Sequence, residues 1–355
     1  MRAPALRSGK GGVPLRNRVS RLPVTRRPSP GVSLNAIRIA SSGGPEVLRF
    51  EDVPTPAPGA GQVLLRVEAV GLNYVEVYQR TGLYKVSYPL VPGGEAAGPV
   101  ESVGPGVTGF APGDRIATVN AIGAYAEYAL VPADRAVKLP DGISTRQGAA
   151  AMLQGLTAHY LTTSTFALAA GHSCLVHAAA GGMGLLLCQL GKRVGARVIG
   201  TTSSEEKAAL ARAAGASDVI LYTEQDFAVE VKRLTCGVGV NVVYDSVGRT
   251  TFLAGLTCLV PRGMMVLYGQ SSGPVEPFDP QILNQRGSLY LTRPSLPHYI
   301  ATREELLRRS NDLFGWIAGG SLDVRIGAEF PLARTADAHR ALEARRTTGK
   351  VLIIP

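Results

Sequence analysis

Two carboxylates, Glu95 and Glu101, stand in the otherwise apolar and glycine-rich stretch "PGGEAAGPVESVGPGV" of residues 92–107. Carboxylates in such surroundings act as metal ligands, as general bases, or as structural groups that hold a turn. Glu95 follows two glycines directly. The residues by themselves leave all three roles open, and the choice between them decides what kind of chemistry is available.

A second chemical signal is the run Ala179-Ala180-Gly181-Gly182-Met183-Gly184, which follows an apolar segment and leads directly into a helical pattern. Glycines at such a place let a pyrophosphate approach the N-terminus of the helix, where free N–H groups and the helix dipole favour anions. Ala179 replaces the first glycine of the usual fingerprint. The strand pattern before the loop and a second strand pattern at 197–202 nevertheless favour a dinucleotide loop over an ordinary glycine-rich turn.

The end of that second strand predicts the cofactor. An NAD-binding fold usually places an acid about 20 residues after the loop, where it holds the ribose 2′-hydroxyl. Here the chain has Thr201, Thr202, Ser203 and Ser204, and then Lys207. Hydroxyls and a cation suit a 2′-phosphate, so we expect NADPH over NADH. Glu205 and Glu206 fit the first turn of the next helix, whose N-terminus favours acids.

Other catalytic arrangements are not evident in the sequence. The histidines share no metal-ligand spacing, the cysteines form no C-x-x-C pair, and no Gly-x-Ser-x-Gly motif is present. We therefore expect no metal, a packed or hydrogen-bonded His177, and cysteines that behave as small buried hydrophobes. The residues concerned are His159, His172, His177, His298, His339, Cys174, Cys188, Cys236 and Cys258.

Composition places the chain among ordinary two-domain globular proteins of 355 residues. The net charge of +10 is concentrated at one end, because residues 1–33 hold eight basic side chains and no acid. The remainder has 29 basic and 27 acidic residues, so no broad nucleic-acid surface is expected. No run of about 18 apolar residues predicts a membrane span.

Residues 1–33 read as a disordered basic tail, rich in Arg, Pro, Ser and Gly. An Arg-rich, acid-free beginning is typical of mitochondrial transit peptides, but four prolines interrupt the amphipathic helix that those peptides form. We expect a cytoplasmic protein, with a mitochondrial location as the alternative.

The chain divides into two parts with different secondary-structure patterns. Residues 37–139 show short apolar runs separated by turn signals, which predicts a small all-β barrel. From about residue 150, strand and helix patterns alternate, which predicts βαβ units on a parallel sheet. The fold class is therefore α/β.

Several stretches resemble the zinc-free NADPH:quinone oxidoreductases, the zeta-crystallin-like branch of the medium-chain dehydrogenase/reductase superfamily, and most of all its bacterial-type members. They are "GGPEVL" (43–48), "GLNYVEVYQRTGLY" (71–84), "HAAAGGMG" (177–184), "VVYDSVG" (242–248), "GSLYLTRPSL" (287–296) and "TREEL" (302–306). The resemblance implies a GroES-like catalytic domain (34–151 and 294–355), with a doubly wound Rossmann domain (152–293) inserted. It also implies a homodimer paired through the Rossmann sheets, with 288–292 as the candidate edge.

The resemblance also implies roles for individual residues. Asn73 stands where zinc-bearing relatives have a cysteine ligand, and Gly93-Gly94-Glu95 replaces their Gly-His-Glu, so Glu95 is expected to be structural. Asn73, Tyr78 and Tyr84 are expected to position the substrate without acting as obligatory acids or bases. The expected cofactor residues are Asn73, Thr157, Gly181, Gly182, Met183, Gly184, Ser203, Lys207, Tyr222, Ser246, Tyr268, Gly269, Gln270 and Arg345.

Three functions remain open at this point. The first is NADPH-dependent reduction of a quinone, which needs no Lewis acid because a quinone is already a strong electron acceptor. The second is reduction of an activated C=C bond in an enone or enoyl thioester. The third is non-catalytic binding of NADPH or RNA, and the near-neutral folded part makes RNA the weakest of these partners.

Overall fold

The computed structural model describes residues 1–2 and 33–355, so the predicted disordered tail and transit peptide fall almost entirely outside the described residues. The N-terminal half is mainly β-structure, as its turn signals predict. Its elements are β1 (Ser33–Arg38), β2 (Arg49–Pro54), β3 (Gln62–Arg66), β4 (Ala69–Leu72), α1 (Tyr74–Arg80), β5 (Ala96–Val103), β6 (Arg115–Thr118), β7 (Tyr128–Pro132), β8 (Val137–Lys138) and α2 (Thr145–Tyr160).

The short helix α1 interrupts the stretch that the sequence predicts as all-β. It begins with a capping box, in which Asn73 and Glu76 satisfy each other's backbone N–H groups. The Asn-x-x-Glu spacing predicts the start of a helix, although the pattern of the surrounding residues predicts strands. The apolar run of residues 62–70 is also divided, since β3 ends at Arg66 and β4 begins at Ala69.

The middle of the chain alternates strands and helices. Its elements are β9 (Ser173–Val176), α3 (Gly182–Arg193), β10 (Arg197–Thr202), α4 (Glu205–Ala213), β11 (Asp218–Leu221), α5 (Phe227–Leu234), β12 (Val240–Asp245), α6 (Phe252–Leu256), β13 (Leu259–Leu267), α7 (Gln281–Gln285) and β14 (Tyr290–Thr292). All strands of this six-stranded sheet pair in parallel, in the order β11-β10-β9-β12-β13-β14.

The strand order of this sheet fixes where a ligand can bind. The chain runs outward from β9 to β10 and β11, and then returns to β12 on the other side of β9. Such a reversal opens a crevice at the carboxyl ends of the two central strands. The glycine loop follows β9 and Ser246 follows β12, so the fold brings two of the predicted sites to one edge.

The last elements return to the barrel. They are α8 (Arg303–Ala318), β15 (Ile326–Pro331), α9 (Thr335–Glu343) and β16 (Lys350–Ile354). β16 pairs antiparallel with β4, with Leu352 opposite Gly71, and parallel with β15. The apolar and almost fully buried sequence of β16 suits a central strand of this eight-stranded sheet.

Helix α2 connects the two sheets through a single buried core. Its apolar side chains pack in one cluster with Leu352 of the barrel and with Val176 and Leu186 of the parallel-sheet part. Three cysteines are buried as predicted, but Cys236 is exposed, because it lies in the turn after α5 at a positive φ of 51°. None of the helices among the described residues is long and apolar enough to cross a membrane.

Candidate functional site

A cleft of about 910 Å³ opens between the barrel and the carboxyl edge of the parallel sheet. It collects nearly every residue that the sequence analysis assigns to cofactor or substrate. The predicted residues in its wall are Asn73, Tyr78, Tyr84, Thr157, Gly181, Gly182, Met183, Gly184, Ser203, Lys207, Tyr222, Ser246, Tyr268, Gly269 and Arg345. Gln270 does not line this cleft; it contributes through its backbone, since its N–H donates to the Tyr78 hydroxyl at 3.1 Å.

The glycine loop is built for close approach. Gly181 is the N-cap of α3, so the helix begins within the glycine loop itself. A Cβ on Gly184 would lie 2.4 Å from the carbonyl oxygen of Ala178, and a Cβ on Gly182 would lie 2.0 Å from Gln154 Oε1. At Gly184 the clash is with backbone, so only glycine fits there, whereas at Gly182 the flexible Gln154 side chain would have to move. The N-terminus of α3 lies in the wall of the cleft, where it suits an anion.

Lys207 lies at the second end of the cleft, on the first turns of α4. Its Nζ donates to Ser203 Oγ at 3.1 Å and to the carbonyl oxygen of Arg345 at 2.7 Å. Tyr222 is partly exposed beside it in the same wall. Glu205 pairs with Arg212 instead of facing this end. The local charge is therefore positive, as a 2′-phosphate requires.

Beneath the cleft, and forming its floor, is a buried network around Lys350 that the sequence did not predict; of its side chains only Asn73 lines the cavity itself. Lys350 Nζ lies 2.5 Å from Glu95 Oε2 and 2.6 Å from Asn73 Oδ1. Asn73 Nδ2 donates to Glu95 Oε2 at 2.8 Å, and the backbone N–H of Leu153 donates to Glu95 Oε1 at 2.6 Å. A lysine that opens an apolar strand is the only signal of this network in the sequence.

The hydrogen bonds of this network occupy the Asn73 side chain. Its Nδ2 also donates to the carbonyl of Gly71, so both amide hydrogens have acceptors inside the protein. Asn73 thus lies at the cleft, but its side chain is committed to holding Lys350 and Glu95 in place. Glu95 is fully buried, in keeping with the structural role expected for it.

The acid at the start of α1 is buried beside this floor. Glu76 accepts from the backbone N–H of Asn73 at 3.0 Å and is 2% exposed. Burial raises the pKa of Glu76 to about 7, and the nearby ammonium of Lys350 opposes that rise. Glu76 is the one acid in the wall among residues 33–355, and it faces the backbone N–H groups of Asn73 and Gly94.

Two tyrosines line the cleft beside each other. Tyr78 lies on α1, and its ring centroid is 5.1 Å from that of Tyr84. Burial raises the pKa of Tyr78 to about 12, so this hydroxyl stays protonated near neutral pH. It accepts from Gln270 and keeps its own O–H to donate. Tyr84 is 37% exposed at the mouth of the cleft.

Three buried polar atoms in the wall of the cleft have no partner among the described residues: Gln154 Oε1, His177 Nε2 and the Tyr268 hydroxyl. His177 Nδ1 lies 3.1 Å from Thr201 Oγ1, and the ring packs edge-on against Phe227, so His177 is packed and hydrogen-bonded as predicted. Burial lowers the pKa of His177 and keeps it neutral. Unsatisfied buried groups beside a glycine loop indicate a place where a polar ligand binds.

The described residues contain no group of three or more His, Cys, Asp or Glu side chains placed to hold a metal ion. The positive charge on the floor is instead the ammonium of Lys350, between Asn73 and Glu95.

Comparison with known proteins agrees with this architecture. Residues 59–141 match the alcohol dehydrogenase GroES-like domain, and residues 182–307 match the family described as zinc-binding dehydrogenase. These domains and the cleft define a medium-chain dehydrogenase/reductase. Within that superfamily, the chain belongs to the zeta-crystallin-like quinone oxidoreductase family.

Three relatives illustrate the membership. A quinone oxidoreductase of Pseudomonas aeruginosa is 46% identical over 90% of this chain and 99% of its own length. A 2-haloacrylate reductase of Burkholderia is 42% identical over 89% of this chain and 98% of its own. The Escherichia coli quinone oxidoreductase, solved in complex with NADPH, matches with a TM-score of 0.88 and 45% identity, covering 90% of this chain and all of that one.

Proposed function

We propose that this chain catalyses the NADPH-dependent reduction of quinones. The observation that carries the proposal is the cleft itself, which joins an open helix N-terminus at Gly181–Gly184, a cationic end at Lys207, and a pair of tyrosines on the barrel side. Quinone oxidoreductase relatives that match over nine-tenths of the chain support it.

The residues present fit NADPH. Gly184 lets the loop turn tightly into the N-terminus of α3, where a pyrophosphate would bind, and Lys207 and Ser203 suit a 2′-phosphate. The unpartnered atoms of Gln154, His177 and Tyr268 are groups that a bound dinucleotide could satisfy. NADPH, when bound, supplies the reducing equivalents, and the protein supplies orientation and a water-poor cleft.

The side chains have limited tasks in this proposal. Tyr78 donates its hydroxyl hydrogen to a quinone oxygen, and its backbone partner Gln270 fixes the direction of that bond. The overall reaction takes one proton from solvent and converts quinone and NADPH to hydroquinone and NADP⁺. A quinone needs no cation to polarise its carbonyl groups, so neither tyrosine has to act as an obligatory acid.

We also propose that the reaction is independent of zinc, although one matching family carries zinc in its name. An amide at Asn73, a glycine at position 94 and the ammonium of Lys350 are groups that repel or fail to bind Zn²⁺. Turnover should survive dialysis against a chelator. Loss of activity that added Zn²⁺ restores would contradict zinc independence.

The domain boundaries stay part of the proposal: a GroES-like catalytic domain of residues 34–151 and 294–355, with a Rossmann domain of residues 152–293 between them. The pairing of β16 with β4 supports placing the C-terminal segment with the N-terminal half.

A homodimer through the Rossmann sheets is proposed as well, because β14 is an edge strand on which Tyr290 is 58% exposed. Sedimentation of the wild type and of Tyr290→Lys tests it. A cytoplasmic location stays a prediction.

A second candidate function is reduction of an activated C=C bond. The 42% identical relative named 2-haloacrylate reductase favours it. Nothing in the described residues favours the third alternative, non-catalytic binding of NADPH or RNA.

The decisive experiment combines binding and turnover. NADPH and NADH are titrated into the full chain, and turnover is then measured with a small para-quinone and with an enone and an enoyl thioester. We expect tighter binding of NADPH and faster turnover of the quinone. NADPH oxidation that proceeds only with the alkenes would replace the proposal by the second candidate.

A further inference from the structure

The charged side chains around the cleft are mostly positive. Among the residues that the structure describes, its wall contains three cationic side chains, Lys207, Arg293 and Arg345, and a single carboxylate, Glu76. Glu76 is buried against backbone N–H groups and does not balance them. Lys207 and the backbone of Arg345 are joined at the cofactor end. Arg293 is the cation to which neither the sequence analysis nor the proposed function gives a role.

Arg293 has weak partners. Its Nη2 donates to the Tyr84 hydroxyl and its Nη1 to the carbonyl of Pro294, both at the long distance of 3.4 Å. It takes part in none of the ion pairs found among residues 33–355. A guanidinium with its planar donor edge uncommitted suits a carboxylate or sulfonate, which it binds through two parallel hydrogen bonds.

The location of Arg293 identifies which ligand it would meet. It follows the edge strand β14 directly. The ring of its contact Tyr84 is tilted by 55° against that of Tyr78, the tyrosine assigned to the acceptor, with the centroids 5.1 Å apart. The wall near this place also contains the apolar side chains of Leu296 and Ile122, and Ile122 is 56% exposed. Among the residues that the structure describes, this part of the cleft thus combines apolar side chains with a cation, Arg293, that forms no ion pair.

We propose that Arg293 determines acceptor specificity by binding an anionic group on the acceptor, so that the preferred acceptors are apolar quinones that bear a carboxylate or sulfonate. This inference rests on the proposed function, because it assigns Arg293 to the acceptor and not to NADPH. An anionic substituent, and not the quinone ring alone, would then decide which acceptors are preferred.

The test uses the full chain and two acceptors that differ in one charge: a 1,4-naphthoquinone with a carboxymethyl group and the same compound with a carbamoylmethyl group. The methylene keeps the two quinone rings electronically similar. We expect Arg293→Gln to lower kcat/KM for the carboxylate compound about 10-fold or more, because a hydrogen bond to a charged group is lost. For the carboxamide compound, kcat/KM should change less than about 2-fold. Arg293→Lys should recover part of the loss.

The matched control is Arg308→Gln on α8, which removes the same charge outside the wall of the cleft. This variant should leave kcat/KM unchanged for both acceptors. An equal loss for the two acceptors in Arg293→Gln, or a weaker NADPH affinity, would overturn the proposal and assign Arg293 to general packing or to the cofactor.

A failure of the proposed function gives a different result. If neither quinone is reduced by the wild type, calorimetric titration of the same two compounds into the NADP⁺-saturated protein still decides the role of Arg293. Tighter binding of the carboxylate that Arg293→Gln abolishes supports anion recognition, whereas equal binding of the two compounds refutes it.

Discussion

Lys350 and Glu95 form a fully buried ion pair, with Nζ 2.5 Å from Oε2, between strand β16 and the residue that precedes β5. Burying two charges costs several kcal/mol, and their attraction offsets this only if the remaining polar groups also find partners. Here Asn73 and the backbone of Leu153 supply those partners. The pair therefore specifies one arrangement of the cleft floor.

Lys350→Met should destabilise the protein strongly, because it leaves the Glu95 carboxylate buried without a cation. The expected loss is about 3–5 kcal/mol in the free energy of unfolding, measured by denaturant titration. Glu95→Gln in the same chain should restore much of this loss, since it removes the unpaired charge. Additive losses in the double variant would show that the two residues do not act as a pair.

Gly184→Ala should weaken both folding and NADPH binding. The new Cβ would lie 2.4 Å from the Ala178 carbonyl oxygen and 2.5 Å from Ala179 Cα, so the loop backbone must shift. We expect a loss of about 1–3 kcal/mol in stability and a higher Kd for NADPH. The control is Gly315→Ala in α8, where a Cβ meets no atom within 4 Å. That variant should gain up to about 1 kcal/mol, because alanine favours helix.

Lys207→Ala should reduce the preference for NADPH over NADH. Lys207 Nζ and Ser203 Oγ form the cationic, hydroxyl-rich end where a 2′-phosphate would lie. Losing a charge-assisted hydrogen bond costs about 1.5–3 kcal/mol, so the Kd for NADPH should rise about 10-fold or more while the Kd for NADH stays nearly constant. Tighter binding of NADH in the wild type would be incompatible with this assignment.

The buried His339 makes stability depend on pH. Its Nδ1 lies 3.2 Å from Arg80 and its Nε2 lies 3.1 Å from the Tyr125 hydroxyl. Burial, with help from the Arg80 charge, lowers the pKa of His339 to about 3. The unfolded chain binds this proton below about pH 6.5 and the folded chain does not. Stability should therefore be complete above pH 6.5 and fall as the pH drops towards 3.

His339→Gln removes this dependence and isolates it from other groups. Between pH 7 and pH 4.5 the wild type should lose on the order of 2–3 kcal/mol more than the variant. Parallel stability curves for the two proteins would show that His339 is protonated in the fold. Arg80 is held bidentately by Glu343, so its charge stays beside the imidazole throughout this range.

Much of the site could be predicted from local sequence patterns. The strand β9, the glycine loop and the hydroxyls before Lys207 all lie within residues 173–207, so their spatial order follows from one βαβ unit. Their positions in the cleft match that expectation. The helix α1 could have been found too, because Asn73 and Glu76 have capping-box spacing.

Other features depend on contacts that no local pattern encodes. Lys350 meets Glu95 across 255 positions only because the register of β16 against β4 places Leu352 opposite Gly71. Arg293 reaches the cleft because β14 ends there, and Gln270 binds Tyr78 through its backbone, which residue type does not reveal. Strand register and main-chain direction decide these contacts, and both follow from the assembled sheets.

The placement of β16 also has a consequence for biosynthesis. Gly349 donates its N–H to the Ala180 carbonyl in the glycine loop, and the next residue neutralises Glu95. Among the described elements, β16 is the last to leave the ribosome, whereas the parallel sheet is already complete by then. The barrel, which begins first, is thus closed last. Until residues 349–354 emerge, the barrel lacks its central strand β16 and the Glu95 carboxylate lacks its cation. Such an incomplete barrel exposes apolar surface, which favours aggregation.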